Sequence, residues 1–218
     1  MRTGSQLLLA TVALGTVLSA APAYPGDMGD GVFDFSNKNK WLFRLRAIDV
    51  VPDESSSTSI GGKVTADNSV VPEFDITYFW TKNIASELIL ATSKHDMGVV
   101  NTAIGDVNLG DVWVLPPTLT VQYHFMPEQT FRPYVGAGLN YTFFYNADPV
   151  DVPRVTYKNG WGYALQTGFD YGIDEHWAFN ADVKKIFFNT DANVANGTAT
   201  ADVDLDPWVF GVGIAYRF

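Results

Sequence analysis

Eight charged residues interrupt stretches that are otherwise apolar at every second position: Arg44, Arg46, Asp75, Glu87, Asp170, Asp182, Lys184 and Arg217. In extended chain, alternate side chains share one face. Each of these charges therefore projects away from the face carried by Phe43, Leu45, Phe74, Ile76, Leu88, Phe169 and Val183. Four are cations and four are carboxylates, so the set is formally neutral. Opposite charges withdrawn from water stay ionised only when paired and hydrogen-bonded. The chemistry of this set is thus mutual neutralisation, with Thr77, Thr120, Gln122, His124, Asn140, Gln166 and Asn180 supplying donors and acceptors on the same face.

Little else is arranged to react. No Ser or His stands beside an orienting carboxylate in the manner of a nucleophilic site, so the sequence predicts no enzyme and no cofactor. His95, His124 and His176 fall on different strands or turns, without the spacing of a metal ligand set. Asp202, Asp204 and Asp206 alternate and would share one face near the outer surface, where a divalent cation could bridge them to lipopolysaccharide phosphates. A solvated loop is the simpler reading of that run. Asn196-Gly197-Thr198 has the form of a glycosylation acceptor, but Asn-Gly is also a turn former and is read as one. With no cysteine, neither disulfides nor thiolate chemistry arise. The net charge of -10 excludes sequence-independent binding of nucleic acid.

The elements that must position the charged face are strands. Period-two alternation recurs at residues 41–51, 71–80, 84–93, 113–125, 132–144, 161–171, 177–188 and 206–218. Spans of about 9 to 11 residues suit tilted membrane-crossing strands and exceed the usual soluble length. Connections 81–83, 126–131 and 172–176 are short, whereas 52–70, 94–112, 145–160 and 189–205 are long and polar. Strict alternation of short and long connections predicts an eight-stranded antiparallel up-and-down transmembrane β-barrel, with short periplasmic turns and long extracellular loops. Trp41, Trp80, Phe125, Tyr171, Trp177 and Phe218 at one end, and Phe143, Trp161 and Trp208 toward the other, would form interfacial girdles. An eight-stranded barrel is just wide enough for side chains to fill, so the charged face predicts a plug and not an open aqueous pore.

Export is written at the start of the chain. Arg2, the apolar stretch 7–18 and Ala21-Pro22-Ala23 compose a signal peptide over residues 1–23, cleaved after Ala23. Residues 24–40 would be a periplasmic N-terminal segment and 41–218 the barrel. The apolar stretch is too short for a spanning helix, which needs about 20 residues.

Three separated segments resemble the OmpW family of small outer-membrane barrels. They are Leu115-Pro116-Pro117-Thr118, the run from Arg132-Pro133-Tyr134-Val135-Gly136 through Ala137-Gly138-Leu139-Asn140-Tyr141, and Asp206-Pro207-Trp208-Val209-Phe210 with Tyr216-Arg217-Phe218. The resemblance implies a monomeric barrel in the bacterial outer membrane, with a narrow, largely hydrophobic channel for small apolar solutes. It implies that Ile89 and Lys184 stand where similar proteins narrow the channel; a lysine there departs from the apolar pattern and blurs the solute class. Tyr216 and Phe218 resemble the signal read by the barrel-assembly machinery. Outer-membrane lipid and lipopolysaccharide are the implied surroundings. Pro116 and Pro117 have a physical consequence of their own: two residues without N–H groups cannot complete a strand ladder. A gap in the wall there would let a solute leave sideways into lipid. The competing reading is a surface structural or adhesion barrel whose extracellular loops bind a partner.

Overall fold

The computed structural model describes residues 40–59, 61–102, 105–194 and 199–218. The expected signal peptide, all but the last residue of the 24–40 segment, and Asn196-Gly197-Thr198 lie outside the described residues. Strands are numbered β1 to β15 along the chain. Eight of them close the barrel: β1 (Trp41–Val51), β4 (Ser69–Phe79), β5 (Ile84–Ala91), β8 (Thr118–His124), β9 (Phe131–Asp148), β11 (Gly160–Gly172), β12 (Trp177–Phe187) and β15 (Trp208–Arg217). Each pairs antiparallel with the next, and β15 returns to β1 with Leu42 opposite Arg217. Closure leaves these strands no edge, the condition for burying a sheet in lipid.

Sidedness follows the alternation. Leu45, Leu119, Val121, Leu139, Leu165, Phe210 and Val212 are exposed on the outside, while Arg44, Arg46, Asp75, Glu87, Asp170, Asp182, Lys184 and Arg217 are buried inside. Apolar side chains facing out and ionised ones facing in invert the rule for a water-soluble barrel and suit a lipid surround. All nine girdle aromatics are exposed. Small residues make room for the bulky interior. Gly213 lies opposite Arg46, and a Cβ there would fall on the Leu45 carbonyl and the Arg46 side chain. At the end carrying the short turns, Leu42, Phe79, Ala85, Ala178 and Ala215 form an apolar layer. The Arg217 guanidinium stacks 4.1 Å from the Phe79 ring centre, a cation–π contact that holds a charge against this layer.

The long connections are present as expected, and much of their length is strand. β2 (Ser55–Thr58), β10 (Val155–Tyr157), β13 (Asn189–Val194) and β14 (Ala199–Asp204) form one sheet. β3 (Lys63–Ala66), β6 (Ser93–Thr102) and β7 (Gly105–Leu115) join the upper part of β9 in the other. Together they make a crown above the membrane. Val64, Met97, Val99, Leu109, Val112 and Val203 are its buried core. The crown therefore has its own apolar filling, continuous in character with the space below it.

A candidate channel with a polar floor and a broken wall

The barrel interior is closed by a connected ion-pair network. Arg44 grips Asp170 with two hydrogen bonds, Nε to Oδ1 at 3.1 Å and Nη2 to Oδ2 at 2.9 Å. Its Nη1 donates to Glu87 Oε1 at 2.8 Å and to Thr77 Oγ1 at 2.9 Å, and lies 3.4 Å from Asp75. Arg46 sits one alternation higher, 2.8 Å from Glu73 and 2.7 Å from Asp75, with Asn180 Oδ1 accepting from Nη1 at 3.2 Å. Lys184 Nζ completes the layer, 2.7 Å from Asp182 and 3.1 Å from Glu73.

Neutral donors add hydrogen bonds to two of the carboxylates. Gln122 and Gln166 each donate to Glu87 Oε2 at 2.8 Å, and the Tyr134 hydroxyl donates to Asp182 Oδ2 at 2.9 Å. Pairing and hydrogen bonding on several sides are the conditions under which charges can be held away from water. The paired side chains leave no room for an aqueous pore at this level, as the eight-strand count requires.

Every charge expected from the sequence to face the lumen is found there, and two more join them. Glu73 and Arg132 are buried too, so five cations now face five carboxylates and neutrality holds. Both carry the inward parity of their strands, two positions before Asp75 and Tyr134. Parity was the signal that could have found them. The histidines separate as expected: His124 is in the lumen, its Nε2 donating to Gln122 Oε1 at 2.9 Å, His176 is in a turn, and His95 lies above the spanning part of the wall. Among the described residues, no group of three or more His, Asp or Glu side chains could hold a metal ion. Asp202 and Asp204 instead share the Asn189 amide as a donor, at 2.6 and 2.9 Å.

Above the ionic floor lies an apolar cavity of about 90 Å³, walled by Ile48, Ile89, Val114, Pro116, Ile186 and Val209 among others. Ile89 and Lys184 both line it, and both are buried. Lys184 is not a free polar gate: its ammonium is turned down into the floor by Glu73 and Asp182, and its aliphatic stem is what an apolar solute would meet. Glu73, Ser93, His95, Thr118 and Thr142 give the lining its other polar points.

The wall beside this cavity is interrupted. Expected strands three and four do not run unbroken: β5 stops at Ala91 and β6 starts at Ser93, while β7 stops at Leu115 and β8 starts at Thr118. The ladder runs to Ile89 opposite Thr118 and resumes, in the same register, at Ser93 opposite Val114. Leu90, Ala91 and Thr92 thus face Leu115, Pro116 and Pro117 across an unpaired stretch. The cause is local, since neither proline has an N–H to give. On the opposite side the prolines are tied to β9: Tyr141 N–H donates to Pro117 O at 3.1 Å, and Asn140 Nδ2 reaches Pro116 O at 3.1 Å. The break is therefore one-sided, toward β5 and β6.

Comparison with known proteins agrees with this architecture. Residues 37–218 match the OmpW family. The outer-membrane protein y4mB of Sinorhizobium fredii is 39% identical over 100% of this chain and 99% of its own length. Outer membrane protein W of Escherichia coli is 34% identical, covering 98% of this chain and 99% of its own. The crystal structure of the outer membrane protein OprG from Pseudomonas aeruginosa superposes with a TM-score of 0.78 at 29% identity, covering 88% of this chain and 99% of that one. An apolar belt, a closed eight-stranded wall and these relatives lead to one conclusion: the chain belongs to the OmpW family and is a bacterial outer-membrane β-barrel.

Proposed function

We propose that the protein is a channel for passive uptake of small hydrophobic or amphipathic molecules. A solute partitions into the apolar crown, descends to the cavity, is stopped by the ionic floor, and leaves sideways into the membrane beside Pro116 and Pro117. The observation that carries this reading is the position of the cavity, directly above a floor of paired charges and directly against the unpaired stretch of wall. A charged floor repels an apolar solute because its ion pairs cannot be separated cheaply. A missing ladder leaves the wall there without the backbone hydrogen bonds that close it elsewhere, with the Thr92 hydroxyl on Val114 O, at 3.2 Å, reaching across at its edge. The barrel works as a monomer, and Tyr216 and Phe218 are read by the assembly machinery.

The test is the rate at which N-phenyl-1-naphthylamine, which fluoresces in apolar surroundings, reaches the membranes of cells bearing or lacking the protein. Cells bearing it should show a severalfold faster rise. Replacing Pro116→Ala and Pro117→Ala restores two N–H donors to the wall and should return the rate toward that of cells without the protein. Equal rates with and without the protein would remove the channel reading.

A further inference from the structure

The backbone ladder is interrupted on both sides of Thr92, whose hydroxyl donates to Val114 O at 3.2 Å across the first break, and the second interruption owes nothing to Pro116 or Pro117. β4 and β5 pair up to Glu73 opposite Ala91. Above that level β3 takes over, with Ala66 opposite Met97 of β6. Seven steps of chain separate Ala66 from Glu73, but six separate Ala91 from Met97, so the two ladders are out of step by one residue. A slip of this kind leaves backbone groups without ladder partners and bends the strand. Pro72, at the upper end of the lower ladder, has no N–H to offer either neighbour.

What crosses the slip lies at its top. Asp67 N–H donates to Asp96 O at 3.2 Å, and the His95 ring closes on Asp67 O at 2.7 Å through Nδ1. A carbonyl oxygen only accepts, so Nδ1 carries the proton, and Nε2 then accepts from the Ser93 hydroxyl at 2.9 Å. The imidazole is thus satisfied on both nitrogens while neutral, and it is buried, 7% exposed. Burial also lowers its pKa, in keeping with a neutral ring.

Apolar side chains stand on both faces of the slip. Val71, Ala91, Ser93 and His95 line the cavity from within. Outside, Val70 is 74% exposed and Leu90 39% exposed, so lipid-compatible surface reaches the slip. Thr92 belongs to neither ladder. Its segment is held between the two breaks as a narrow strip.

We propose that the wall has a second side portal, between residues 68–72 and 92–95, which the His95 side chain latches to the Asp67 carbonyl. This rests on the reading that solutes leave the cavity sideways, and it adds a route and a latch that the prolines do not supply.

Cysteine staples test it, because the chain has no cysteine of its own. Thr92→Cys with Leu115→Cys closes the proline break, and Val71→Cys with Ser93→Cys closes the slip. Each staple is followed by gel mobility with and without reductant, and folding by the heat-dependent mobility of the barrel. N-phenyl-1-naphthylamine influx is measured in cells bearing each form. With the first staple oxidised, part of the influx should persist; adding the second should bring it to the level of cells without the protein, and reductant should restore both parts. If the second staple fails to form, His95→Ala in the first-stapled background reads the same portal, and the residual influx should rise severalfold.

Loss of all influx on closing the first staple alone would overturn the second portal and leave the proposed channel standing, as would a His95→Ala variant with unchanged residual influx. Unchanged influx with both staples closed would overturn the portal and the sideways route together. No influx in the unstapled protein would remove the channel itself, and the portal with it.

Discussion

Replacing Arg44→Met removes the cation at the centre of the floor while keeping a side chain of similar reach. Asp170 then loses both guanidinium hydrogen bonds and keeps the Asn180 amide at 2.9 Å; Glu87 and Asp75 fall back on Arg46, at 3.5 and 2.7 Å. Five buried carboxylates face four buried cations. Removing one member of a buried pair costs about 3–5 kcal/mol, chiefly through the charge left behind. That is a large share of the roughly 5–15 kcal/mol by which folded domains outlast their unfolded chains. Removing both members, Arg44→Met with Asp170→Asn, takes the two charges out together and should recover most of the loss, to within about 1 kcal/mol of wild type, since well-packed neutral replacements of buried pairs are often neutral or better. The assay is urea unfolding of the barrel in phospholipid vesicles, followed by tryptophan fluorescence, with Asp170→Asn alone completing the cycle. If Arg44→Met costs less than about 1 kcal/mol, or if the double variant is no more stable than the single, the floor is hydrated and the ion pairs do not close it.

Three further outcomes follow from the same geometry. Lys184→Met should destabilise the barrel by about 3–5 kcal/mol for the same reason, because Asp182 and Glu73 lose their ammonium; adding Glu73→Gln should recover part of it in the same unfolding assay. Gly138→Val should yield little folded barrel by heat-dependent gel mobility, since a Cβ at Gly138 would fall on the Leu119 carbonyl of the paired strand. His95 is held neutral by burial, against the pull of Asp67, Asp96 and Glu54, so its folded pKa is below the unfolded value. The unfolded chain takes up a proton near pH ~6.5 before the folded one does. Crown stability is thus full above that pH and falls as pH drops below it. Amide exchange of β3 and β6 should quicken between pH 7 and 5 after correction for intrinsic rates, and His95→Gln should flatten that dependence.

The spanning barrel was legible because lipid imposes one rule on every strand: apolar outside at every second position. Phe74, Asp75 and Ile76, or Val183 beside Asp182 and Lys184, state that rule within a few residues, and the short turns fix where it restarts. The crown was not legible as strand. Lipid ends below it, its strands are as short as Val155–Tyr157, and polar residues such as the serines of β2 break the alternation. Only its inward residues, among them Met97, Val99 and Leu109, keep the signal, and in the sequence they are lost within long polar connections.

The site divides in the same way. Charges on one face announce pairing, yet partners depend on which strands meet across the lumen: Arg44 with Asp170 spans 126 positions in sequence. Pro116 and Pro117 announce a break from sequence alone, because the missing N–H is a property of the residue. The slip beside His95 carries no such mark, because it arises from the mismatch of two ladders. Lys184 is by sequence a polar departure at the constriction; only the fold shows its ammonium neutralised by Glu73 and Asp182.

The most direct test of the account is to locate an apolar solute in the protein itself. Crystals soaked with 1-bromohexane allow the bromine to be placed by its anomalous scattering. The account predicts bromine within the cavity against Ile89 and beside Pro116, above the layer of Arg46 and Lys184. Bromine found on the outer belt alone, with the cavity filled by ordered water, would contradict it.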